Sequence, residues 1–64
     1  MLKARLREYL LRGMAAFGRG RFADAEAHWS RAVELDPSDV RARTYLERAR
    51  TQLERTRELT GTGP

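Results

Sequence analysis

The stretch that decides the fold is Gly13 to Pro37, GMAAFGRGRFADAEAHWSRAVELDP. Its residues Gly13, Gly20, Ala25, Trp29, Ala32 and Pro37 prescribe two helices that pack closely and then stop. Gly13 and Ala16 share one face of a helical segment beginning near Leu2, so a second helix can approach with almost no side chain between the backbones. The approaching helix is Phe22 to Leu35, where Phe22, Ala25, Trp29, Ala32 and Val33 recur at intervals of three, four, three and one along one stripe. Between the two lies Gly18-Arg19-Gly20-Arg21, in which either glycine can take the left-handed conformation that ends a helix. The first helix therefore turns back as an antiparallel hairpin. Pro37 blocks continuation of the second helix and biases Asp36 away from helical geometry, and Ser38 is placed to cap a third.

Downstream, Val40 to Leu59 carries Ala42, Leu46, Ala49 and Leu53 at helical spacing, with Tyr45 on the flank of that stripe. Counted from Ser38, this third helix spans about 33 Å against about 21 Å for the second, so its end, with Leu53, Thr56 and Leu59 as sparse apolar positions, must overhang the hairpin. Thr60-Gly61-Thr62-Gly63-Pro64 has no period and poor helix formers. The reading is all-α: an antiparallel helical hairpin plus a longer C-terminal capping helix. The helices cover residues 2–19, 22–35 and 38–59 of one domain, 1–59, and 60–64 is a flexible tail or linker.

Tyr9, Gly13, Gly20, Phe22, Ala25, Trp29, Ala32 and the run Ala32-Val33-Glu34-Leu35-Asp36-Pro37 resemble one tetratricopeptide repeat, a unit of about 34 residues. The resemblance covers residues 6–39, with Tyr9 in the place of the early Trp and Trp29 in that of the later Phe. Arg12 stands where a Leu is usual and Ala16 where a Tyr is usual, and neighbouring Leu10 and Phe17 are the residues available to restore the packing. A complete second repeat is excluded by length. At 64 residues the chain buries only about 60% of its unfolded surface, and a single core of this size supplies roughly 3–5 kcal/mol. Repeat units lean on neighbours, about three being needed for independent stability. The chain is thus expected to be a piece of a longer protein, which the Gly-Thr-Gly-Pro end favours, or to complete its core with a second copy of itself.

Composition removes several classes. There is no cysteine, hence no disulfide framework, thiolate metal site or cysteine nucleophile. No apolar run approaches the roughly 20 residues needed to span a bilayer, and the basic start Lys3, Arg5, Arg7 lacks a signal-peptide core behind it. The chain reads as cytoplasmic, and twelve arginines to one lysine read as the codon signature of a GC-rich bacterial genome.

The net charge of +4 raises the alternative of a small basic nucleic-acid-binding protein, since Arg41, Arg43, Arg48, Arg50, Arg55 and Arg57 crowd the third helix. Against it, Glu47, Glu54 and Glu58 are interleaved, with Arg43–Glu47 and Arg50–Glu54 as i to i+4 pairs on a solvated face. No glycine-rich phosphate loop, aromatic stacking platform or zinc-finger spacing accompanies them. A helix-turn-helix would explain the glycine-rich turn but not the series Ala25, Trp29, Ala32, Pro37.

Catalysis has less support. His28 is the only histidine, and Ser30 lies about 200° around the helix from it, so the two cannot form a hydrogen-bonded pair. Asp24 and His28 share a face at i, i+4, but no third metal ligand accompanies them and catalytic zinc needs three. No enzyme activity, cofactor or metal is expected, and His28 reads as an exposed residue beside Asp24.

What remains is a binding surface. In the tetratricopeptide family the concave groove is lined largely by first helices of successive repeats. Carried onto this chain, the resemblance places Arg7, Leu10, Met14 and Phe17 there, followed by Arg41, Thr44, Tyr45 and Arg48. Family members that clamp chaperone C-terminal carboxylates use a Lys and an Asn where this chain has Leu10 and Met14, so that clamp is absent. An apolar strip beside a row of guanidinium groups suits an amphipathic or acidic helix or peptide, with Leu10, Met14 and Phe17 as the dock and Arg41 and Arg48 pairing carboxylates at the rim. Met14 adds adaptability. The bland alternative is that Leu2, Leu6, Leu10 and Phe17 pack against an adjacent domain or a second copy of the chain.

Overall fold

The computed structural model describes residues 2–61, which form α1 (Leu2–Gly18), α2 (Phe22–Leu35) and α3 (Val40–Gly61), with no strand among them. Thr60 and Gly61 continue α3, and the remainder of the expected tail, Thr62 to Pro64, lies outside the described residues.

The turn between α1 and α2 is closed by the backbone. Gly20 N–H donates to the Phe17 carbonyl at 3.0 Å and Arg21 N–H to the Ala16 carbonyl at 2.9 Å, the paired 5→2 and 6→1 bonds that satisfy the last carbonyls of a helix. Of the two candidate glycines it is Gly20 that takes the left-handed conformation, at φ +77°, while Gly18 stays helical. No side chain caps the start of α2. Its entry angle is held instead by Phe22, whose ring stands edge-on to Phe17 with centroids 5.0 Å apart.

The turn between α2 and α3 differs from the sequence expectation. Ser38 is not the cap, because its N–H and its hydroxyl both donate to Asp36 Oδ1, at 3.1 and 2.6 Å. With that oxygen holding Ser38, the cap passes to Asp39, whose Oδ1 accepts the Ala42 N–H at 3.1 Å, and α3 begins at Val40. Arg41 holds the same carboxylate with two donors, Nη2 at 3.1 Å and Nε at 3.4 Å. These contacts, the Arg41 guanidinium first and the Ala42 N–H second, lower the Asp39 pKa below the ordinary carboxylate value. A group with a lowered pKa contributes stability that is whole above its unfolded value, about 3.9, and is lost as pH falls through the folded one. Acid titration should therefore fray the start of α3 below about pH 4, read as loss of amide protection at Ala42 and Arg43. An Asp39→Ala variant, already uncapped, should show less additional loss.

α2 is the middle element. α1 and α3 both pack against it, and their backbones approach each other closely at few points. The core comprises Leu6, Leu10 and Ala16 of α1, Ala25, Trp29 and Ala32 of α2, and Ala42, Leu46 and Ala49 of α3. Five of these nine are alanines, so the helices lie close and Trp29, 2% exposed, is the one large aromatic side chain in the buried set. Leu6 and Leu10 pack inside the protein, not against a neighbouring domain or copy as the sequence allowed. Leu10 is in the core, and Phe17 packs against it with its ring 5.6 Å from that of Trp29.

The charge pairing on α3 also departs from expectation. Neither Arg43–Glu47 nor Arg50–Glu54 closes as an ion pair among the described residues; Arg50 Nε instead donates to Glu26 Oε2 at 3.2 Å, tying α3 to α2. The pair bridges two elements, which an i to i+4 pair cannot do. Beyond Leu53 the side chains of α3 are exposed through Glu58, and the molecule measures 49 Å in its longest direction.

Candidate interaction groove

Two short-range facts build the site. Gly13 has no Cβ, and one added there would sit 2.1 Å from Trp29 Nε1, so the indole lies directly on the α1 backbone. From that position Nε1 donates to the Leu10 carbonyl at 3.0 Å, a buried bond that satisfies the only polar atom of the ring. The indole also packs against the ring of Tyr45 of α3, tilted by 33° with centroids 5.1 Å apart. Phe22, Phe17, Trp29 and Tyr45 thus form a row running from the α1–α2 turn through the middle of the domain to α3.

Phe17, Trp29 and Tyr45 of that row form the floor of a groove whose walls are α1 and α3. At its centre is an apolar hollow of about 190 Å³ lined by Met14, Phe17, Gly18, Trp29, Tyr45 and Arg48. It is smaller than the roughly 300–1,000 Å³ of small-molecule sites, and suits a single side chain of a larger partner. Met14 is 49% exposed at its lip. A wider, more polar hollow of about 450 Å³ continues past the end of α1, where Phe17 meets Thr44, Glu47, Arg48, Thr51, Gln52 and Arg55.

The structure sorts the sequence-derived site residues into three groups. Met14, Phe17, Tyr45 and Arg48 come together around the central hollow. Arg7 and Arg41 lie at the other end, around a separate hollow shared with Lys3, Leu6, Asp36 and Asp39. Leu10 is not an exposed dock: it is 5% exposed and belongs to the core, reaching only the edge of the hollow around Arg7 and Arg41. Arg41 is already bound to Asp39, so it is not a spare rim cation. Arg55 and Thr51 line the groove but were not among the sequence candidates. Their signal was the seven-residue recurrence Arg41, Arg48, Arg55. Elsewhere, His28 is half-buried, and no cluster of three or more His, Asp or Glu side chains able to hold a metal occurs among the described residues. No helix among them is long and apolar enough to cross a membrane.

A hairpin held by a glycine against an indole, followed by a third helix on the same layer, defines the class of helical repeat scaffolds. The family model described as tetratricopeptide repeat matches residues 7–39, and the chain belongs to that family. No curated protein and no solved structure matches it at a significant level. Repeats of this family generally mediate protein–protein interaction and are generally non-catalytic.

Proposed function

We propose that this chain is a non-catalytic docking module whose groove between α1 and α3 takes an amphipathic or acidic helix or peptide. The observation that carries the reading is the apolar hollow on an otherwise charged surface: Met14, Phe17 and Tyr45 open around Trp29 with the Arg48 guanidinium beside them. A partner side chain buried there gains apolar contact, and a neighbouring carboxylate gains a charge-assisted bond at the rim. Leu6 and Leu10 are inside the core and not free to bind a second copy, and a second copy is one more candidate for the same hollow.

Titration of labelled candidate partner peptides against wild type and Met14→Glu tests the reading. A carboxylate at the lip of the hollow should weaken binding by about tenfold or more. Leu11→Glu, at a neighbouring exposed position that lines none of these hollows, should leave affinity unchanged. Equal affinity for wild type and Met14→Glu would overturn the apolar dock, and sedimentation of the free chain shows whether a second copy already occupies it.

A further inference from the structure

The charges of α3 fall on two faces. Arg43, Glu47, Arg50, Glu54 and Arg57 form a stripe of alternating sign. Arg41, Arg48 and Arg55 recur every seven residues, with Thr44, Tyr45, Thr51 and Gln52 between them on that face. Arg41 is committed to Asp39, whereas Arg48 and Arg55 have no ion-pair partner among the described residues. Both line the wider hollow, bordered on one side by Glu47, and Arg48 also lines the apolar one. The groove therefore presents an apolar socket and two unpaired guanidinium groups in a fixed order along a rigid helix.

Seven residues of helix cover about 10.5 Å. An extended peptide puts side chains on one face at about 6.6 and 13 Å, and neither spacing repeats that interval. A second helix running alongside repeats its side chains at the same interval as α3 itself. A nucleic acid would supply charge at each phosphate but nothing for the socket around Met14, Phe17 and Tyr45. Resting on the docking reading above, we infer that the groove takes an acidic amphipathic helix of a partner protein. Two of its carboxylates, seven residues apart, lie on Arg48 and Arg55, and an apolar side chain on the same face enters the socket.

The probes are two helix-stabilised peptides of identical composition. One carries two glutamates seven positions apart with a leucine on the same face, and in the other the glutamates are five positions apart, about 140° around the helix from each other. The seven-spaced peptide should bind wild type, and lose about fivefold with Arg48→Ala or Arg55→Ala and about twentyfold with both. Arg43→Ala, on the mixed stripe, should change nothing, and the five-spaced peptide, which can still set one glutamate on one arginine, should bind wild type about as well as the seven-spaced one binds a single variant. Equal binding of the two peptides, with Met14→Glu still weakening both, would overturn the spacing while leaving the docking reading in place. Binding of neither peptide to wild type would remove both. A single-stranded oligonucleotide that bound more tightly than either peptide, and was indifferent to Met14→Glu, would replace the protein helix with a polyanion.

Discussion

Gly13→Ala should abolish the cooperative thermal melt of this domain, although helix propensity alone argues the reverse. In an unconstrained helix, alanine is better than glycine by about 1 kcal/mol. Here the new Cβ would lie 2.1 Å from Trp29 Nε1 and 2.4 Å from Cδ1 and Cε2, far inside van der Waals contact. The indole has nowhere to go without loss: Phe17 lies 5.6 Å away on one side, Tyr45 5.1 Å on another, and the bond to the Leu10 carbonyl holds Nε1. Forcing extra volume into a packed core costs about 1–3 kcal/mol, and leaving the buried indole N–H unpaired costs about as much again. Against a total of roughly 3–5 kcal/mol for a single core of this size, that is most of what there is. Circular dichroism during heating decides it. A Gly13→Ala protein that melts at or above the wild-type temperature would mean the indole is not held where the structure places it. Combining Gly13→Ala with Trp29→Leu should cost less than the sum of the two single changes, because the collision then has only one participant.

Trp29→Ala is the second large effect, and it comes from removal instead of crowding. Truncating a buried tryptophan costs about 3–5 kcal/mol. Trp29 is the side chain that touches all three helices, through the Leu10 carbonyl on α1, its own position on α2 and the Tyr45 ring on α3. Its loss should leave a chain with residual helicity and no sharp transition. Trp29→Phe, which keeps a ring for Phe17 and Tyr45 but gives up the bond to Leu10, should melt between the two. As the single tryptophan of the chain, Trp29 also reports its own environment: buried at 2% exposure, it should emit at short wavelength and shift red on unfolding. Retention of a wild-type melt in Trp29→Ala would contradict the packing described for all three helices.

The parts of this fold that could be read from the sequence are those in which one residue type answers one backbone demand. Gly13 answers close approach, Pro37 answers helix termination, and the period Ala25, Trp29, Ala32 answers burial on one stripe. Where two neighbouring residues could answer the same demand, the sequence alone did not decide. Ser38 and Asp39 are both good caps, and the choice fell to Asp36, which took the Ser38 hydroxyl. Arg50 had Glu54 on its own helix and Glu26 on the next, and only the packed arrangement brings Glu26 to 3.2 Å. The groove was legible to the same degree. The resemblance to the repeat family put Met14, Phe17, Tyr45 and Arg48 on one groove, and they line one hollow, but it put Leu10 there too, whose side chain is spent in the core. The bond from Trp29 to the Leu10 carbonyl has no sequence signature, because its acceptor is backbone.

The scarcity of close backbone approach between α1 and α3 has a thermodynamic side. Each wall of the groove packs on α2, so a ligand lying across both walls would join two helices whose backbones meet closely at few points. Binding then acts as a third interface, present in the folded state and absent from the unfolded one. At a ligand concentration a hundred times its Kd, that linkage adds about 2.7 kcal/mol. For a domain resting on roughly 3–5 kcal/mol, such an addition approaches a second core, and it turns the melting temperature into a sensitive assay for the partner.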